Sequence, residues 1–181
     1  GATQPTALRT VEGPPSTPAL ADHLARLAVT LEPGWRAEIN LRAVDWMREV
    51  ARRLRRGFVI LIDYGHEARE LYSVAHAGGT LTTFTRHTMA GTESTEPVAA
   101  WLRRPGEQDI TAHVDFTAIR LAAEEEGLTT LGFLDQTYFL MGLVANTLNH
   151  LNLQQRLALK TLLMPGGLGS TLKVLILGKG V

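Results

Sequence analysis

The sequence predicts an α/β domain. Three observations carry that expectation: apolar residues recur at helical spacing in several stretches, short aliphatic runs occur near residues 58, 128 and 172, and glycines punctuate the two kinds of segment. Helices and strands that alternate in this way favour a mainly parallel sheet.

Residues 1–17, with "GPPSTP", read as an irregular lead-in. A helix is expected over 18–31, capped by Ser16 or Thr17, with Leu20, Leu24, Leu27 and Leu31 on one face and Pro33-Gly34 closing it. The next helix follows a candidate N-cap at Asn40 and carries the stripe Leu41, Val44, Met47, Val50 and Leu54, with Gly57 as its stop. Five arginines from Arg48 to Arg56 crowd its second half. Cations near a helix C-terminus are favoured by the dipole, so a solvated face is expected rather than a phosphate site. The run 58–63 reads as a strand buried on both faces, ending at Asp63. Residues 65–114 lack clear periodicity and imply a functional loop region or short pieces of structure. Regularity returns with a helix capped by Asp115, facing Phe116, Ile119 and Ala123 inward and ending at Gly127. A strand over 128–134, two helices, a "PGGLG" turn and a last strand over 172–178 complete the chain.

Composition narrows the function. Eighteen basic and eighteen acidic side chains cancel, which removes any general attraction to nucleic acid. No cysteine is present, so disulfides, thiolate metal ligands and a Cys nucleophile are excluded together. No apolar run approaches the roughly 20 residues of a membrane span, and no membrane insertion is expected. Gly167-Leu168-Gly169 precedes a strand and lacks the third glycine of a dinucleotide loop, so it reads as turn chemistry. The six histidines show no metal-ligand spacing, and no metal is expected; zinc held by His66, His87 and His113 is the minor alternative.

Two acidic positions remain. Asp63 ends an apolar strand, where open α/β sheets place ligands, although an Asp there also caps turns. Asp109, Thr111, His113 and Asp115 alternate, so a single extended segment would put all four on one side. Asp115 has a ready structural role as a helix cap, which makes Asp109 the better functional candidate.

The stretches "AEINLRAVDWM", "GFVILIDYGH", "GGTL" followed by "RH", "PGEQDITAHVDFTAI", "GFLDQTYFLMGL" and "LMPGGLGSTLKVLILGKG" resemble, in order, the MidA-like S-adenosylmethionine-dependent methyltransferases. That family includes the mitochondrial complex I assembly methyltransferase. The resemblance covers nearly all of 34–181. It implies a Rossmann-like class I methyltransferase sheet with an antiparallel last strand, in which 58–63, 128–134 and 172–178 are strands five to seven. It implies S-adenosylmethionine as cofactor and a protein acceptor, for the mitochondrial relative an arginine on a respiratory complex I subunit. The compartment it implies is the cytoplasm in a bacterium and the mitochondrial matrix in a eukaryote.

The family's Gly-rich cofactor loop, its acidic residue after the second strand and its Asn-Glu stretch after the fourth have no counterpart here. The expectation is therefore a C-terminal half, with 18–181 as the C-terminal portion of the methyltransferase domain. By resemblance Asp63, Tyr64 and Gly65 approach the cofactor, while Thr80, Thr111, His113, Asp115 and Phe116 shape the acceptor side. Asp109 or His87 orients the acceptor nitrogen or takes its proton. A half-sheet would leave the edge of 58–63 bare, so marginal stability or self-association, with a homodimer as one form, is expected. The competing expectation is a non-catalytic binding or assembly module derived from the same family.

Overall fold

The computed structural model describes residues 8–85, 88–90, 99–145 and 150–181. Two compact units emerge: one from the chain up to Leu41 together with Arg69–His113, the other from Arg42–Ala68 and Val114–Val181.

The second unit is built on a four-stranded sheet of order β5-β1-β7-β6. Its strands are β1 (Gly57–His66), β5 (Val114–Asp115), β6 (Thr129–Asp135) and β7 (Leu172–Lys179). β7 runs antiparallel to both β1 and β6, with Ile60 opposite Ile176 and Leu134 opposite Val174. β5 adds a short parallel ladder at Gly65 and His66. The sheet is thus mixed rather than mainly parallel, because the last strand enters reversed between β1 and β6.

Helix α2 (Leu41–Arg53) buries Val44 and Met47 of the expected stripe together with Ala51, while Leu41, Val50 and Leu54 are half-buried, and α4 (Phe116–Glu125) buries Phe116, Ala118, Ile119, Ala122 and Ala123. Asp115 caps α4 by accepting from the Ala118 N–H at 2.9 Å, and Gly127 (φ +82) releases the chain afterwards. The Lys179 ammonium donates to the carbonyls of Ala51 (2.6 Å) and Glu126 (3.1 Å), satisfying an end carbonyl of each helix. Three arginines of α2 pair with carboxylates: Arg48 with Asp45 and Glu125, Arg52 with Glu126, and Arg53 with Glu49. They form a solvated, ion-paired face.

Strand β1 departs from expectation in two ways. It continues past Asp63 to His66, because Gly65 and His66 pair with Val114 and Asp115. It is also not buried on both faces: Phe58, Ile60 and Ile62 are 60%, 50% and 46% exposed. Helices α5 (Gln136–Val144) and α7 (Leu168–Thr171) contact β6 and β7. Helix α4 contacts β1, β6 and β7 as well. Val174, Leu175 and Leu177, which alternate between the two faces of β7, are 0% exposed. The "PGGLG" turn runs into α7, and Gly169 is required there because a Cβ would lie 2.3 Å from Thr137 Oγ1. Helix α6 (Leu153–Leu163) completes the unit.

In the first unit, α1 (Ala19–Arg26) is shorter than the expected 18–31. The chain leaves it through Ala28 at φ 53, with the Val29 N–H donating to Leu24 O, a Schellman-type exit. The segment without periodicity resolves into short pieces: α3 (Ala68–Leu71), a 3-10 turn at Val74–His76, and a sheet of order β3-β2-β4. Its strands are β2 (Thr82–Thr85), β3 (Thr88–Ala90) and β4 (Asp109–Thr111). Among the described residues no helix is long and apolar enough to cross a membrane.

Candidate functional site

The residues expected to act fall into two groups, one in each unit. In the second unit, Asp63, Tyr64 and Gly65 occupy the C-terminal part of β1. Asp63 is exposed, and its Oδ1 accepts from the Tyr64 N–H at 2.7 Å; no turn follows it, because the strand runs on to His66. Its cross-strand neighbour Lys173 pairs instead with Asp135 at 2.5 Å. Gly65 cannot be another residue: a Cβ would meet Val114 O at 2.2 Å and the Phe116 ring at 2.9 Å. Phe116 is buried and packs on Phe133 with ring centroids 5.1 Å apart. The Asp115 Oδ1 is engaged as a helix cap. Asp115 and Phe116 therefore act here through position, fixing α4 beside the end of β1.

In the first unit the site is centred on Thr80. Its N–H and its hydroxyl both donate to Glu38 Oε2, at 2.7 and 3.0 Å, and its Oγ1 accepts the His113 N–H at 3.0 Å. The preceding Gly79 (φ +83) brings the backbone so near that a Cβ would lie 2.5 Å from Glu38 Oε1. A short parallel bridge between Arg36 and Gly78 ties the same two stretches together. The His113 ring meets the His76 ring edge-on, centroids 5.9 Å apart, and His76 Nδ1 lies 3.0 Å from Glu70 O.

Asp109 and Thr111 lie on β4, paired with Phe84 and Thr82. Asp109 is exposed and Thr111 half-buried. The single extended segment expected for Asp109, Thr111, His113 and Asp115 does not form. β4 ends at Thr111, and Val114–Asp115 joins the other sheet, so one face holds only Asp109 and Thr111. His87 lies outside the described residues.

Glu38 is the residue that sequence reasoning missed. It stands in the "AEIN" stretch just before α2, and nothing local marks it. Its partner is 42 positions away in sequence.

A mixed sheet whose last strand is antiparallel to both neighbours, with helices packed against it, defines a methyltransferase-like fold. Residues 2–134 match the family described as "Putative S-adenosyl-L-methionine-dependent methyltransferase". The chain belongs to that family, whose methyl donor is S-adenosylmethionine. No curated protein matches the chain.

Two solved structures from Burkholderia thailandensis are similar. One, an uncharacterized superfamily protein, shares 32% identity over 90% of this chain at a TM-score of 0.76. The other, described as a superfamily member and "likely methyl transferase" bound to S-adenosyl-homocysteine, shares 28% identity over 94% of this chain at a TM-score of 0.78. The chain spans 44% of the length of each.

Proposed function

We propose that this chain is the C-terminal portion of a MidA-like methyltransferase and supplies the acceptor side of methyl transfer to a protein arginine. The observation that carries this reading is the similarity of 94% of the chain to a relative bound to S-adenosyl-homocysteine. The order β1-β7-β6, with β7 reversed, supports treating these as strands five, seven and six of the larger sheet. On this reading 1–17 is a lead-in, 18–181 is methyltransferase domain, and the Gly-rich cofactor loop belongs to an upstream half. The acceptor proposed by resemblance is a subunit of respiratory complex I.

The cofactor supplies an electrophilic methyl group on a sulfonium. Asp63 suits such a ligand: it is exposed, only one of its oxygens is engaged by Tyr64, and the other can accept from hydroxyl or ammonium groups. Tyr64 and Gly65 complete that end of the strand. The acceptor guanidinium is held by paired charged hydrogen bonds to Asp109. Its nitrogen takes the methyl carbon as the carbon–sulfur bond breaks, and the proton it sheds goes to Asp109 or His87. Thr80, Thr111 and His113 shape the acceptor side, with Thr80 held by Glu38 and the His113 backbone held by Thr80.

Calorimetric titration with S-adenosylmethionine and S-adenosyl-homocysteine tests the division of labour. The chain alone should give no saturable heat, and a form extended to the length of the relatives should bind both. Saturable binding by the chain alone overturns the division, and no binding by the extended form overturns the methyltransferase reading. In the extended form, Asp109→Ala should lower the rate on an arginine peptide by about 10²-fold or more, the contribution typical of a positioned base. An unchanged rate removes that role.

A further inference from the structure

Helix α6 rests against α5 and α7 on one side and is open on the other. A capping box fixes its start, with Asn152 Oδ1 accepting from the Gln155 N–H and Gln155 Oε1 from the Asn152 N–H, both at 2.9 Å. None of its residues is buried. Leu153 and Leu157 are 74% and 57% exposed, and with Lys160 and Met164 they follow one another at helical spacing along one face. Beside that face Arg156, Leu159, Lys160, Leu163, Met164 and Pro165 line an open groove of about 330 Å³. Helix α5, in contact with α6, adds exposed Tyr138, Met141 and Leu143. Exposed apolar side chains beside a groove suit an interaction surface.

Charge identifies the occupant. After Asp135 the chain contains no acidic residue, and the groove carries Arg156 and Lys160, both exposed. Arg156 Nε is tied to Leu151 O at 2.9 Å, which leaves its terminal nitrogens for other partners. A second copy fits poorly, because an isologous contact would set the same two cations against themselves with no carboxylate between. A lipid surface also fits poorly, since two cations fall short of the clusters of about four to eight that hold anionic membranes. A concave groove suits a protruding side chain.

We propose that the α6 face docks an acidic, apolar segment of a partner protein. That segment seats an aliphatic or aromatic side chain in the groove and sets Asp or Glu against Arg156 and Lys160. The proposal stands apart from the methyl-transfer reading. It gives α6 a task the candidate site does not require.

The test is a displayed library of short peptides selected on the chain and counter-selected on the double variant Arg156→Glu/Lys160→Glu. Both positions are exposed, so the variant should fold with an unchanged melting temperature. Peptides kept by the native chain and lost by the variant should be rich in Asp and Glu flanking Leu, Phe or Trp. The affinity of one such peptide should fall by about tenfold or more in the double variant, and Leu157→Ser should weaken it independently. Retrieved peptides that bind both proteins equally, or that lack acidic residues, overturn the proposal. So does a concentration-dependent dimer abolished by Leu157→Ser, which assigns the face to a second copy. Retention on phosphatidylcholine–phosphatidylserine vesicles by the native chain alone would assign it to lipid and overturn the proposal equally.

Discussion

Strands β1 and β7 are neighbours in one sheet, and both carry apolar runs, "FVILI" and "VLIL". Their environments differ. β7 is paired along its length with β1 and β6 and reaches 0% exposure at Val174, Leu175 and Leu177, whereas β1 meets its second partner only at Gly65 and His66 and leaves Phe58, Ile60 and Ile62 46–60% exposed. Hydrophobicity along a strand therefore states what the strand can bury, not what covers it. In β7 the cover lies within the chain. In β1 one face stays open among the described residues.

The largest expected effect breaks this comparison directly. Leu175→Ala empties a fully enclosed position and should cost about 2–5 kcal/mol. Ile60→Ala, on the half-open strand, removes mainly the cross-strand pair with Ile176 and should cost about 0.2–1 kcal/mol. Urea unfolding of the two variants at low protein concentration measures both. Equal costs would mean that the β1 face is covered in solution, and sedimentation would then have to reveal an associated form.

How much was legible in the sequence follows from the range of the interactions. The α2 stripe, the Asp115 cap and the Gly127 stop are local events, encoded within a turn or two, and each was readable. The end of β1 was not, because Gly65 and His66 are recruited by Val114 and Asp115, far along the chain. The same distance hid Glu38, whose contacts with Thr80 depend on a backbone approach that Gly79 permits. Alternation from Asp109 to Asp115 suggested one strand, but a strand needs a continuous partner, and the chain changes sheets between Thr111 and Val114. Asp63 was visible as the tip of an apolar run, while the pairing of Lys173 with Asp135 rather than with Asp63 was not.

A smaller effect concerns how the far end of β7 is held. Lys179 donates to end carbonyls of both α2 and α4, so it clamps the helices that cover the buried face. Lys179→Met keeps the aliphatic stem and removes the donors. The freed carbonyls lie at helix ends where water can replace one bond, so the loss should be near the low end for charged hydrogen bonds, about 1.5 kcal/mol. A neutral result by urea unfolding would mean that apolar packing alone holds this end of β7.

The smallest effect lies on the outer surface of the same two helices, where Arg52 and Glu126 form a paired contact. The hydrogen bond from Arg52 holds the Glu126 carboxyl below its ordinary range. Because the folded-state value is the lower one, the contribution to stability is complete above the unfolded carboxylate range and fades as pH falls through the folded value. Arg52→Gln should therefore lower the melting temperature slightly near neutral pH, and the difference should vanish in acid and shrink in high salt. Arg52 is solvent-exposed and Glu126 half-buried, so the shift should be small. A difference that persists once Glu126 is protonated would have to come from packing of the arginine stem, not from the ion pair.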